Sequence, residues 1–252
     1  PPTLSGSDPN QRYDSVSLLR MGVRALEIDV HWMPGMDGSF RPTVCHGNDE
    51  HAGCTYELSL KEELAKIVAW LDTNPDQVVL IYLENNLNES IDEASEPDSA
   101  VRYAAAASAI ADTLGNRVYT PTDHGGNCAD GHPLTMTIGD LRAFSDKKQV
   151  YIQTEGCDAG WSALVFNKDH PNNNQSADQN QLLSAGTDGD EYCGGFKVSS
   201  HKTQFTRFFE DGTMLGAITN QDNLTPATPA DFANMVRCGV NMPAMDQLTP
   251  SD

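Results

Sequence analysis

The sequence predicts a mixed α/β fold of the TIM-type (β/α)8 barrel kind, forming one domain over residues 1–252. Three observations predict it. Strand-like and helix-like patterns alternate along the chain, as in a parallel sheet with helical crossovers. QVVLIYLEN (77–85) is a near-continuous apolar run, typical of a strand covered on both faces. Roughly six strands over this length suit a barrel better than a small doubly wound sheet, and the chain has neither an internal repeat nor a Gly-rich phosphate loop.

The elements follow in order. YDSVSLLRM (13–21) reads as a helix that stops at Gly22, a natural C-cap. VRALEIDVHW (23–32) is a strand, and PTVCHG (42–47) a short extended piece. Ser59 and Glu62 form a capping box ahead of Leu60, Leu64, Ile67, Val68 and Leu71, which recur at helical spacing until Asn74-Pro75. After the strand at 77–85 comes an Ala-rich helix (99–114) with Gly115 behind it. Thr137 and Asp140 open another helix before the strand QVYIQT (149–154). Residues 167–192 read as a long polar surface loop. GTMLGAIT (212–219) reads as a strand, 228–238 as a helix and VNMPAMDQ (240–247) as a last strand. A barrel helix should follow a first strand, yet the chain opens with a helix and ends just after a strand. The barrel is therefore expected to be incomplete at the N-terminus, with the C-terminus also trimmed.

Composition narrows the function classes. The formal charge is −20, from 36 acidic and 16 basic residues. Such a surface repels phosphate backbones and anionic lipid faces, which excludes nucleic acid as a partner and leaves at most peripheral membrane contact. No apolar run is long enough to span a bilayer. The six cysteines include no CxxC pair, which argues against a zinc cluster. Their even number and wide spacing suit up to three disulfides, hence an exported, extracellular protein. Cys45 with Cys54 would close a short loop and Cys157 with Cys193 a longer one, although connectivity is not legible from sequence alone. Sequons at Asn88, Asn174 and Asn223 are as frequent as chance allows in a chain this rich in Asn, Ser and Thr. A monomer is expected.

The chemistry starts from strand alternation. Ala25, Glu27, Asp29 and His31 share one face of their strand, and Leu26, Ile28, Val30 and Trp32 the other. The apolar face packs on helices. The polar face looks into the barrel at its C-terminal mouth, where barrel enzymes hold their active sites. On the next strand Leu80, Tyr82 and Glu84 share a face, with Glu84 at the strand end. Carboxylates converging on one mouth repel each other unless a cation or proton lies between them. Glu27, Asp29 and Glu84 are thus candidate ligands for a hard cation, Ca²⁺ or Mg²⁺. His46, just after the extended piece, is the candidate general acid or base. His31 reads as a hydrogen-bonded rim residue, and His124, His132, His170 and His201 as surface residues.

Together GVRALEIDVHW, VCHG and QVVLIYLEN resemble the X-region catalytic barrel of phosphatidylinositol-specific phospholipases C and the PLC-like phosphodiesterases. That family shows an E-x-D strand, a following HG and a strand ending in LEN, and all three match in order and spacing over about residues 22–85. NMPAMDQL near the end is similar to secreted fungal or bacterial members. The resemblance implies a phosphodiester or phospholipid substrate. It places Glu27, Asp29 and Glu84 where calcium-dependent members hold their metal, and Asp29 where metal-free members carry Arg. It gives His46 the role of protonating the leaving alkoxide and then activating water, beside Glu27. Asp246 matches the late carboxylate that orients the family's other histidine. That histidine, in an HN motif on the first strand, has no match, since no HN dipeptide occurs in the chain. It is expected upstream of Pro1 or lost. A glycerophosphodiesterase or sphingomyelinase D-like enzyme, whose barrels also carry E-x-D and a following histidine, is the alternative enzyme. A secreted barrel that lost catalysis and binds a ligand is the non-enzymatic one.

Overall fold

The structure is a computed structural model. It describes residues 13–35, 37–45, 54, 58–88, 98–130, 137–144, 147–158 and 160–167, with the backbone of three short strands at 175–178, 206–209 and 242–243. In chain order these carry α1 (Ser15–Met21), β1 (Ala25–Pro34), β2 (Phe40–Val44), α2 (Leu60–Thr73), β3 (Val79–Asn86), α3 (Ser99–Leu114), β4 (Val118–Tyr119), α4 (Ile138–Ala143), β5 (Val150–Thr154) and β6 (Phe166–Asn167). These belong to one compact unit. A second unit holds β7 (Gln175–Asp178), β8 (Thr206–Phe209) and β9 (Met242–Pro243), three parallel strands in that order.

Side-chain caps start the helices. The Asp14 carboxylate accepts the Ser17 N–H at 2.7 Å to open α1. Gly22 closes it in the left-handed region, at φ 105°. The capping boxes read at Ser59–Glu62 and Thr137–Asp140 are both present, each satisfying two N–H groups that a helix start leaves without partners. In α2, Leu60, Leu64, Ile67 and Leu71 are fully buried. Each such side chain contributes about 1.5–3 kcal/mol over leaving it in water.

The main sheet runs β2-β1-β3-β5-β4, with β6 also paired to β5. β1, β3 and β5 are parallel neighbours, and both β4 and β6 run parallel to β5. The fold is therefore mixed α/β around a parallel sheet, as expected. Alternation is as read. Leu26, Ile28 and Val30 of β1 and Ile81 and Leu83 of β3 are buried on one face. Glu27 is exposed on the other, with Asp29 and Glu84 half-buried.

Several expectations need correction. The extended piece begins earlier than 42, and its described part is the second arm of a hairpin: β2 (Phe40–Val44) runs antiparallel to β1, with Pro34 opposite Phe40 and Val30 opposite Val44, while residues 46 and 47 lie outside the described residues. The turn is closed by hydrogen bonds from Gly35 N to Ser39 O and from Gly38 N to Gly35 O, with Gly38 at φ 78°. Cys45 is bonded to Cys54 as expected, but Cys157 pairs with Cys128 rather than with Cys193. Cys128 opens a 3-10 turn, Cys128–Asp130, and its Cα lies 5.8 Å from that of Cys157. The polar stretch at 167–192 contains β7, so it is not wholly loop. Within 240–247 the strand covers Met242–Pro243. The strand expected at 212–219 and the helix at 228–238 lie outside the described residues.

A short 3-10 turn, Pro121–His124, ties the region before β5 together. Asp123 accepts hydrogen bonds from the Thr120 N–H and hydroxyl at 2.8 Å, and its carboxylate lies 3.2 Å from the buried Lys148 ammonium. Burial alone would raise the Asp123 carboxyl, but the Thr120 bonds and Lys148 outweigh it and hold it below its ordinary 3.8. A carboxyl depressed in the folded state contributes stability above its unfolded pKa and loses it as pH falls through the folded one. Asp123→Asn is expected to cost about 2 kcal/mol near neutral pH. The gap to wild type should close as the pH falls below 3.8. Thermal melts of both proteins from pH 7 to pH 2.5 check this, and a gap constant over that range would contradict it.

Candidate metal centre

The parallel β1–β3 ladder sets Asp29 directly beside Glu84, with Glu27 one pleat below beside Tyr82. The carboxylates of Glu27, Asp29 and Glu84 offer ligand oxygens that all lie within 4.8 Å of one another. Oxygens bound to one Ca²⁺ at about 2.4 Å can be separated by at most about 4.8 Å, so the three can share one ion. Each is an oxygen donor suited to Ca²⁺ or Mg²⁺, and three carboxylates leave part of a six- to eight-fold Ca²⁺ shell for water or substrate. Unit charges of one sign about 4 Å apart repel by about 4 kcal/mol at an effective dielectric of about 20, which a divalent cation reverses.

Beneath this rim the same face is closed by polar and aromatic side chains. Tyr82 lies between Glu27 and Gln153 in the ladder. Gln153 Nε2 donates to the Tyr151 hydroxyl at 3.1 Å, and Tyr151 stacks on Phe166 at 4.9 Å between ring centres. Tyr82, Tyr151, Gln153 and Phe166 are all buried. Burial also pushes the Tyr151 hydroxyl far above its usual pKa, so it stays protonated.

His31 is not a rim residue. It is fully buried, and with the Asn86 amide nitrogen donating, its Nε2 accepts at 3.2 Å. The β2 arm pairs Thr43 across from it. Its ring nitrogen, Cys45 Sγ and Cys54 Sγ also lie within 4.8 Å of one another, but these two sulfurs are bonded to each other, so they offer no thiolates to a metal. His124 is half-buried, with its ring 6.5 Å from that of Phe166. His46 and Asp246, with His132, His170 and His201, lie outside the described residues. Cys45, the residue before His46, donates its N–H to Asp29 O at 3.3 Å.

Behind the trio the strand end is held by groups the sequence reading missed. The Asn85 N–H donates to Glu155 Oε2 at 3.2 Å, and Asn85 Nδ2 donates to the Tyr103 hydroxyl at 2.6 Å. Burial raises the Tyr103 hydroxyl to about 12, with the Asn85 bond opposing and Asp158 adding to the shift. Glu155 directly follows β5 and Glu84 lies two residues before the end of β3, so reading carboxylates near the C-terminal ends of strands could have found it. Tyr103 sits at helical spacing with Ala106, Ile110 and Leu114 and carries no signal beyond that of a core residue.

The chain superposes on a calcium-dependent phosphoinositol-specific phospholipase C from a Pseudomonas species, at TM-score 0.52 and 14% identity over 95% of this chain and 86% of that one. It also superposes on the phosphatidylinositol-specific phospholipase C of Listeria monocytogenes, at TM-score 0.53 and 13% identity over 96% and 80%. The Staphylococcus aureus phosphatidylinositol-specific phospholipase C gives TM-score 0.51 and 12% identity over 100% and 82%. The Rv2075c PI-PLC-like domain model matches residues 2–252, and the chain belongs to that family. Two Mycobacterium tuberculosis proteins, Rv2075c and MT2135, both described as uncharacterized, are each 31% identical over 99% of this chain. The chain spans about half of their length, 51%.

Crowding of like charge gives a test of the geometry alone. In EDTA, Asp29→Asn is expected to raise the stability of the protein by about 1 kcal/mol, because it removes two close repulsions at a partly screened site. With saturating Ca²⁺ the order should invert. Melting temperatures of both proteins in each condition decide it, and a variant less stable than wild type in EDTA would contradict the crowding.

Proposed function

We propose that this chain is the catalytic barrel of an exported, Ca²⁺-dependent phosphodiesterase of the phospholipase C type, with Mg²⁺ the alternative ion. The observation that carries the reading is the convergence of Glu27, Asp29 and Glu84 within 4.8 Å on one face of two neighbouring parallel strands. Family membership supports the reaction class, and Asp29 in place of the Arg of metal-free members supports the metal. The two disulfides among the described residues suit an oxidising compartment. No helix among those residues is long and apolar enough to cross a membrane.

The three carboxylates would hold the ion, which when bound supplies positive charge to the phosphoryl oxygens of the substrate. The chain's own groups do the rest. His46, one residue beyond the Cys45–Asp29 hydrogen bond, gives a proton to the leaving oxygen and then takes one from the second nucleophile. Glu27, the most exposed of the trio, is the one assigned to act beside His46 as well as to hold the ion. By the resemblance, Asp246 would be the late carboxylate that orients the family's other histidine, which has no match within these 252 residues. A surface of charge −20 disfavours anionic membranes, so the substrate is a phosphodiester reached in solution or at a membrane whose charge is neutralised.

The test is hydrolysis of phosphatidylinositol, of glycerophosphodiesters and of sphingomyelin by the full-length protein with Ca²⁺ and with EDTA. Release of inositol phosphate, lost in EDTA and lowered by about 10²–10⁴-fold in His46→Ala, is expected. Full turnover in EDTA would remove the metal, and near-normal turnover of His46→Ala would remove the acid–base role. Release of choline or glycerol phosphate would assign the alternative enzyme class.

A further inference from the structure

We infer that the first turns of α3, with Glu155, form a brace whose task is to position Glu84 for the cation, and that Tyr103 is its central positioning residue. The inference rests on the metal-centre reading above and deepens it.

Glu84 and Asn85 are successive residues of β3 and face opposite sides of the sheet. Glu84 therefore points to the carboxylate trio while Asn85 points to the rear. Four hydrogen bonds meet the strand end, three from α3 and one from Glu155, the residue after β5. Asn85 Nδ2 donates to the Tyr103 hydroxyl at 2.6 Å, and Asn88 Nδ2 donates to the same oxygen at 3.1 Å. Arg102 Nη1 donates to Leu87 O at 3.0 Å, and Glu155 Oε2 accepts the Asn85 N–H at 3.2 Å. Within the turn itself, the Leu87 N–H reaches Asn85 Oδ1 at 3.4 Å.

The brace is anchored in turn. The Tyr103 ring meets Trp161 edge to face, with centres 5.0 Å apart, and both residues are buried. Gly160 lies against Tyr103 so closely that a Cβ there would collide with the Tyr103 Cβ and backbone. A side chain locked on both sides has little rotamer freedom left, so its hydroxyl is a fixed point for Asn85. Ligands to a hard cation must be held against mutual repulsion before the ion arrives, and groups that orient them tune affinity. A tyrosine needed only for packing would be replaced by phenylalanine without consequence for residues 84–88.

Tyr103→Phe keeps the ring on Trp161 and removes only the hydroxyl. Two readouts are taken, Ca²⁺ titration by calorimetry and amide hydrogen exchange of residues 84–88 in EDTA. The variant is expected to bind Ca²⁺ about tenfold more weakly and to exchange faster at Asn85, Leu87 and Asn88. Unchanged affinity together with unchanged exchange would overturn the brace. Should Tyr103→Phe fold poorly, Glu155→Ala removes the acceptor of the Asn85 N–H on the segment after β5 and is expected to act in the same direction, with Glu155→Gln restoring most of the loss. A wild-type protein that takes up no Ca²⁺ would overturn the metal-centre reading instead. The exchange rates in EDTA then still show whether Tyr103 holds the strand end.

Discussion

The pairing of β1 with β3 is the constraint on which the site depends. Parallel strands in register place Asp29 beside Glu84 and leave Glu27 one pleat below. A slip of β1 by one residue would turn Glu27 and Asp29 into the apolar layer, bring Ile28 to the polar side and separate both carboxylates from Glu84 on β3. The apolar layer prevents that slip. Leu26, Ile28, Val30, Ile81 and Leu83 are nearly inaccessible, and exposing them would cost far more than any hydrogen bond at the strand ends could return. The like-charged cluster is tolerated because hydrophobic burial on the other face of the same strands over-determines their position.

The supports around that ladder work from different directions. The β1–β2 hairpin covers the far half of β1, buries His31 and returns the chain to Asp29 through the Cys45 N–H. The Cys45–Cys54 disulfide closes the segment that contains His46 at both of its ends. On the rear, α3 grips the end of β3 through Tyr103 and Arg102. Cys128–Cys157 fastens the chain just beyond β5, next to Glu155. Strand geometry sets where the carboxylates are, and these local ties limit how far they can move apart.

Much of this was legible in the residues. Period two in ALEIDVHW separated the acidic face from the apolar one, and the structure separates them the same way. The caps at Ser59, Thr137 and Gly22 are short-range effects of side-chain oxygens or of a missing Cβ, so they too could be read locally. Non-local features were harder. The direction of β2 was missed although Gly35 and Asp37-Gly38 between two extended pieces are a hairpin signal. The placement of His31 depends on that hairpin, so it was misread as well. β4 and β6 have two residues each, too few for any periodicity. The Cys128–Cys157 bond and the Tyr103–Asn85 contact join residues 29 and 18 positions apart, and nothing in either local sequence names the partner. The same reason leaves a tyrosine at core spacing indistinguishable from one that also holds a strand end.

The central claim is that β1 and β3 together hold one divalent cation. The most direct measurement is a crystal structure of the protein with Ca²⁺, paired with anomalous diffraction from a crystal in which a lanthanide replaces it. The account predicts a single anomalous peak within bonding distance of carboxylate oxygens from Glu27, Asp29 and Glu84. A peak bound elsewhere, or none among these carboxylates at saturating ion, would contradict it.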